Sequence, residues 1–219
     1  MKKYFFDEVI NTQEIAHKKY VDKPVLIVAK RQTKGRGRKG NEWINSDQAL
    51  ACSFAFKRES KKIEESLLPL IASYEFSELL PDLNISLKWP NDLIYKEKKI
   101  GGLLIEKYDQ LFVVGLGVNF FWKKPEVLSA GALFDQKQSS NFINMIAENW
   151  AKNLIVSTNK DFFDLNKYKL KCTTIGKLVE YGEGRGWVQD IGNDGSLSVK
   201  TESGDIVFIY ESMISEVSL

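Results

Sequence analysis

Four short segments of this 219-residue chain gather the residue types that phosphate and acyl chemistry require. The first is Gly35-Arg36-Gly37-Arg38-Lys39-Gly40, three cationic side chains set among three glycines. Glycine lets the backbone fold closely around an anion, and arginine supplies forked, charge-assisted hydrogen bonds to phosphate or carboxylate oxygens. Letter for letter the segment matches a dinucleotide-binding fingerprint, which needs a strand running straight into the glycines and a helix opening on them. Here the polar residues 30–34 separate an apolar stretch from the glycines, and residues 41–47 do not read as a helix start. From the residues alone three readings stay open: a mobile cationic loop over a phosphate, a solvated loop, and a nucleic-acid contact.

The second segment is Lys88-Trp89-Pro90-Asn91-Asp92-Leu93, in which proline removes an amide donor and holds Trp89 extended. Two small polar side chains follow at the mouth of a turn. The third, Lys99-Ile100-Gly101-Gly102-Leu103, puts two glycines inside an apolar strand, a sign that something approaches the backbone closely. Lys99 opens that strand; an edge lysine that discourages aggregation is the bland alternative. In the fourth, Val114-Gly115-Leu116-Gly117-Val118-Asn119, glycines again interrupt a strand that ends in an amide, and tight sheet packing would explain them. A single histidine, His17, and two cysteines, Cys52 and Cys172, cannot build Ser-His or Cys-His machinery, a Cys/His zinc site or a disulfide framework.

The elements that must carry these segments are legible from periodicity. Asn11 to Glu14 resembles a capping box and starts a helix at Thr12. Strands are expected at 25–29, 49–57, 85–89 and 111–121, with a hairpin of 93–95 and 100–107. Helices are expected at 63–80 and 142–156, and a shorter one before residue 171. From Gly176 the pattern changes to four short strands, 176–181, 186–191, 196–200 and 205–210, punctuated by turn residues. The fold class is therefore α/β (α+β): a mixed β-sheet with flanking helices over residues 1–170, and a small SH3-like C-terminal β-barrel over 171–219.

Composition narrows the partners. The formal charge is +2, too balanced for a protein that coats nucleic acid. From Lys171 onward there are four basic and eight acidic residues, a local sum of −4, so the remainder carries +6. No apolar run reaches the roughly 20 residues a membrane span needs. The first residues are too short and too quickly acidic for a secretion signal, and a cytoplasmic location is expected.

Taken together, the order and spacing of Gln32, Gly35–Gly40, Trp43, the 88–93 block, Lys99-Ile100-Gly101-Gly102-Leu103-Leu104 and Gly115-Leu116-Gly117-Val118-Asn119 resemble biotin protein ligases. The resemblance runs from about residue 4 to the C-terminus and is to the short form, without the N-terminal DNA-binding domain of some relatives. It implies a two-step ATP-dependent reaction: biotin and ATP, with Mg²⁺, give biotinyl-5′-AMP and pyrophosphate, and a lysine of a biotin carboxyl carrier protein then takes the biotinyl group. That carrier would belong to acetyl-CoA carboxylase or a related biotin-dependent carboxylase.

Carried over position by position, the resemblance implies that Lys99, Arg36 and Arg38 serve the reaction. Thr12, Gln32, Gly35, Arg36, Lys99, Gly102 and Leu104 would bind biotin. Arg38, Trp43, Lys88, Asn91, Asp92 and Asn119 would bind ATP or the adenylate. Mg²⁺ would be held mainly through the phosphates, with Asp92 as the candidate protein ligand. No specific nucleic-acid binding and no membrane partner are implied, and a homodimer is left open. The chain departs from the usual pattern at Asn11, where serine is common, at Lys34, and at 211–215, where a glycine-containing stretch is usual. A lipoate or octanoate ligase is the nearest rival, though it lacks the 88–93 block.

Overall fold

A computed structural model of the chain describes residues 1–38, 41–125, 127–182 and 184–210, and the backbone of 214–216. The first eleven helices and strands are β1 (Lys2–Val9), α1 (Thr12–Lys19), β2 (Val25–Gln32), β3 (Gln48–Lys57), α2 (Leu68–Ser77), β4 (Ser86–Lys88), β5 (Asp92–Tyr95), β6 (Lys98–Tyr108), β7 (Leu111–Phe121), α3 (Ser140–Thr158) and α4 (Leu165–Lys171), with a 3₁₀ turn at Glu65–Leu67 before α2. Seven strands form one sheet in the order β1-β2-β3-β7-β6-β5-β4. Only β1 and β2 run parallel, joined through α1, so the sheet is mixed.

The alternation of β3 and β7 gives this sheet two unlike faces. On one face Leu50, Cys52, Phe54 and Phe56 stand opposite Val118, Leu116, Val114 and Phe112, all buried. Helices α2 and α3 cover that face, and Trp150 donates its indole N–H to the Ala72 carbonyl at 2.9 Å. Burying each large side chain there stabilises the fold by about 1.5–3 kcal/mol. On the other face Ala49, Ala51 and Ser53 stand opposite Asn119, Gly117 and Gly115, and β6 continues the row with Gly102 and Leu104. Small residues there leave a shallow floor that α1 covers only at one end, over Ala55 and Val113.

Helix α1 starts where the sequence indicated, with the Asn11 side chain accepting from the Gln13 and Glu14 amides. Such a cap stabilises a helix by about 1 kcal/mol. The helix expected over 63–80 is shorter. The chain first makes the 3₁₀ turn, α2 then begins with Pro69 in its first turn, and it ends at Ser77, before Pro81. Proline fits the opening of a helix, where its missing N–H costs nothing, and cannot continue one.

A second sheet comprises β8 (Leu178–Tyr181), β9 (Gly184–Ile191), β10 (Leu197–Thr201), β11 (Ile206–Ile209) and β12 (Ile214–Glu216), in the order β11-β10-β9-β8-β12. It has five strands where four were expected, because three residues at 214–216 carry too little pattern to announce a strand. The small C-terminal sheet expected from the sequence is thus present, with β11 and β12 at its edges among the described residues. Val179, Val188, Ile191, Leu197 and Val199 join the same buried cluster as Leu87 and Trp89 of the first sheet. The unusual stretch at 211–213 lies outside the described residues. Among the described residues no helix is long and apolar enough to cross a membrane.

Candidate active site

A cavity of about 550 Å³ lies over the floor of small residues. It is lined by Thr12, Gln32, Arg36, Arg38, Trp43, Lys88, Asn91, Asp92, Lys99, Gly102, Leu104 and Asn119. Residues spread over more than a hundred positions of the chain thus meet at one place. Gly35 is the exception. It is buried beneath Trp43, where an added Cβ would stand 3.0 Å from the Trp43 Cβ and 3.2 Å from Gln32 Nε2. It lets the indole and the amide pass close to the backbone and does not itself line the cavity. Lys39 and Gly40 of the same segment lie outside the described residues.

Around Thr12 the cavity wall is polar and hydrogen-bonded into the frame. Gln32 Oε1 accepts from the Thr12 amide at 2.8 Å and from its hydroxyl at 3.0 Å, while Ser53 donates to the Thr12 hydroxyl at 2.8 Å. Asn11, besides capping α1, donates to the Lys34 carbonyl at 3.1 Å and so ties the helix start to the glycine-arginine segment. Both ends of its amide are therefore used locally.

The cavity also carries cations. Lys99 Nζ meets Asp92 Oδ1 at 2.6 Å, and Arg38 donates to Asn91 Oδ1 at 2.8 Å. Asn91 in turn donates to the Leu103 carbonyl at 2.7 Å, which fixes its orientation. Arg36 reaches Glu106 at 3.4 Å and Glu14 at 3.8 Å. Gly37 N–H donates to the Asn41 carbonyl and Trp43 N–H to the Gly35 carbonyl. Lys99 is bracketed by a second strand-like contact, its amide donating to Ser129 and its carbonyl accepting from Gly131.

The strand glycines are explained by close approach. A Cβ on Gly117 would lie 2.9 Å from the Trp43 ring, and one on Gly115 would lie 3.0 Å from Gln13 Oε1. On the other side, Trp89 anchors the 88–93 block to the second sheet. Its amide donates to Thr174 Oγ1 at 2.9 Å and its indole to the Gly195 carbonyl at 2.8 Å, and the Trp89–Pro90 peptide is cis.

Three buried polar atoms on cavity-lining side chains have no protein partner: Gln13 Oε1, Trp43 Nε1 and Asn119 Oδ1. Buried polar groups are nearly always paired, so these atoms are the ones a ligand would satisfy. The sequence assigned no role to Gln13, Ser53 or Glu106; Gln13 directly follows Thr12, whereas Ser53 meets Thr12, and Glu106 meets Gln13 and Arg36, only through the fold. Cys52 also lines the cavity, but burial pushes its thiol above the usual range, so it stays protonated and is no nucleophile at neutral pH. His17 stacks on Tyr108 with ring centroids 3.9 Å apart and does not line the cavity. Among the described residues no group of three or more His, Cys, Asp or Glu side chains converges as a metal site.

Residues 7–119 match the model of the biotin/lipoate A/B protein ligase family, more than half of the chain. Of solved structures, a biotin protein ligase from Aquifex aeolicus in complex with biotin and ATP superposes with a TM-score of 0.83 at 29% identity, over 99% of this chain and 98% of that one. A biotin acetyl coenzyme A carboxylase synthetase from Helicobacter pylori with bound biotinylated ATP gives 0.76 at 29% identity, over 94% and 99%. Among curated proteins, a biotin–[acetyl-CoA-carboxylase] ligase of Mycobacterium tuberculosis is 27% identical over 84% of this chain and 79% of its own length. The ligase of that name from Paracoccus denitrificans is 28% identical over 42% of this chain, a match that spans less than half of its own length, 43%. The chain belongs to the biotin/lipoate A/B protein ligase family.

Proposed function

We propose that this protein is a biotin protein ligase that activates biotin with ATP and transfers it to a lysine of a biotin carboxyl carrier protein. The observation that carries this reading is one cavity lined by Arg36, Arg38 and Lys99, with unpaired buried polar atoms in its wall. In the first step a carboxylate oxygen of biotin attacks the α-phosphorus of ATP, and the bond to the β-phosphate breaks to release pyrophosphate. Both reactants are anions, so a preorganised set of cations is the direct remedy for their repulsion. Lys99 exchanges Asp92 for the biotin carboxylate and then the acyl-phosphate oxygens, and Arg38 exchanges Asn91 for the α-phosphate. In the second step the carrier lysine attacks the acyl carbon, AMP leaves, and a proton is lost from the new amide.

Thr12 and Gln32 hold the ureido ring, with Gly102 and Leu104 walling it, and Arg36 closes over the carboxylate side. Trp43 packs on the adenylate and Asn119 Oδ1 accepts from the adenine amino group. Lys88 and Asn91 lie by the phosphates. No covalent enzyme intermediate is needed, in keeping with a protonated Cys52. Mg²⁺ fits as an ion brought in by the phosphates, because it keeps several waters and needs only one or two carboxylates. Asp92 would hold it, and it would supply further neutralisation of the phosphate charge.

The natural carrier is a subunit of acetyl-CoA carboxylase or of a related carboxylase. A nucleic-acid module is the poorer account, since the second unit, residues 171–219, sums to −4. The test is ATP–pyrophosphate exchange on the purified chain, with biotin, lipoate and octanoate in parallel and Mg²⁺ present. Exchange with biotin alone is expected. Exchange with lipoate or octanoate instead would move the chain to the other branch of its family, and none with any acid would leave a binding protein.

A further inference from the structure

Ala51, Gly117, Gly102, Asp92 and Lys88 are successive cross-strand partners on β3, β7, β6, β5 and β4. Cross-strand partners share a face, so these five form one row across the floor of the cavity. Trp43 lies over Gly117, and Lys99 Cε would stand 3.8 Å from a Cβ on Gly102. On the reading of this cavity as an adenylation site, the nucleoside lies at Trp43 and the α-phosphate at Lys99. The β- and γ-phosphates then extend over Asp92 toward Lys88, at the edge of the sheet.

The wall continues past that edge. Residues 172–174, which lead from α4 toward the second sheet, run beside β4: Cys172 bridges Leu87, and the Thr173 amide donates to the Leu87 carbonyl at 2.8 Å. Thr174 is thereby set next to Lys88 and Trp89. It lines the cavity, although it is only 3% exposed. Its Oγ1 accepts the Trp89 amide at 2.9 Å, which holds the hydroxyl in place. Its proton has no acceptor, side chain or backbone carbonyl, among the described residues. A hydroxyl so buried ordinarily gives its proton to a partner, and a ligand in the cavity is the partner left to it.

We infer that Thr174 is a residue of the leaving-group site, and that its hydroxyl donates a hydrogen bond to the pyrophosphate end of ATP. As a biotin carboxylate oxygen bonds to the α-phosphorus, the bond from that phosphorus to the α–β bridging oxygen breaks, and its electron pair stays on the pyrophosphate. Thr174 keeps its proton and supplies only the hydrogen bond. A donor fixed beforehand at the place where negative charge grows favours the transition state over bound ATP. The segment that joins the two sheets thus takes a direct part in the first step, which rests on the function proposed above.

The test is ATP–pyrophosphate exchange by the full chain with biotin and Mg²⁺, beside two calorimetric titrations. One uses a non-hydrolysable sulfamoyl analogue of biotinyl-5′-AMP, which has no β- or γ-phosphate; the other adds inorganic pyrophosphate, with Mg²⁺, in the presence of that analogue. The wild type should bind pyrophosphate beside the analogue. Thr174→Val removes the hydroxyl at nearly constant shape, and should weaken pyrophosphate binding and lower kcat/KM for ATP by roughly tenfold to a hundredfold. Its affinity for the analogue should match that of the wild type, because the Trp89 indole still donates to the Gly195 carbonyl at 2.8 Å and holds the 88–93 block. Thr174→Ser should restore pyrophosphate binding.

Unchanged pyrophosphate binding in the valine variant would overturn the inference. Equal losses toward pyrophosphate and the analogue would also do so, since Thr174 would then only anchor Trp89. A serine variant as weak as the valine variant would reduce Thr174 to its methyl group. A wild type that holds the analogue but no pyrophosphate overturns the inference even where the valine variant does not fold. A wild type without biotin-dependent exchange would instead overturn the functional reading.

Discussion

Lys99 and the two loop arginines are each held by protein groups that a phosphate or carboxylate could displace. Lys99 rests on Asp92, Arg36 on Glu106 and Glu14, and Arg38 donates to Asn91. The Lys99 side chain is 48% exposed, and a pair so open to solvent contributes about 0–1 kcal/mol to stability. Lys99→Ala should therefore abolish biotin-dependent pyrophosphate exchange while leaving the melting temperature close to that of the wild type. Near-normal exchange in that variant would remove Lys99 from its assigned part. Arg38→Ala should release the adenylate faster while biotin binding changes little, measured as adenylate dissociation beside biotin titration. An equal loss of both would mean that Arg38 only packs the loop. These roles could be assigned from motif order, but the partners could not. Glu106 lies 70 positions from Arg36 in the chain, and nothing local to either residue announces the pair.

At the scale of elements, β3, β6 and β7 set the site by what their side chains omit. One face of β3 and β7 is filled by Phe54, Phe56, Val114 and Leu116, while the other is floored by Ala51, Ser53, Gly115 and Gly117. Gly117→Ala should push the Trp43 ring off the floor, because the new Cβ would stand 2.9 Å from it. We expect weaker adenylate binding, by tenfold or so if one well-placed aromatic contact is lost, with biotin affinity less affected. The check is a tryptophan-fluorescence and calorimetric comparison with the wild type; adenylate affinity equal to that of the wild type would show that Trp43 tolerates the shift. The strands themselves were readable in advance, because period-two alternation and β-branched residues are local signals. Their glycines were legible as close-approach positions. Which side chain approaches, Trp43 over Gly117 and Gln13 over Gly115, was not.

At the scale of the whole molecule, the second sheet buttresses the site from behind. The β9–β10 turn offers the Gly195 carbonyl to the Trp89 indole, and Ser66 donates to the Asp194 carbonyl. The Asp194 carboxylate accepts from the Ser196 hydroxyl and amide and from the Tyr210 hydroxyl, and these bonds hold it below the usual carboxylate range. A carboxyl with a lowered folded-state value adds stability above its unfolded value near 3.8, and that stability is lost as pH falls through the lower folded value. Asp194→Asn should therefore lower the melting temperature at pH 7, and the gap from the wild type should close as pH drops below about 4. A constant gap across a pH 3–7 melting series would mean that ionisation of Asp194 does not stabilise the turn.

The sequence by itself determined the mixed α/β class, the placement of most strands and helices, and the ligase-type motifs. Each of these is written in short stretches, as alternation, capping residues, turn glycines or a fixed order of blocks. Only the tertiary structure decided that Gly35 supports Trp43 and does not line the cavity, and that the C-terminal strands form a five-membered sheet. It alone left buried polar atoms of Gln13, Trp43 and Asn119 without a protein partner in the cavity wall. These depend on contacts between residues far apart in the chain, and on which lone pairs remain after the frame has satisfied its own hydrogen bonds. That remainder is a property of the packed molecule, and no local pattern encodes it.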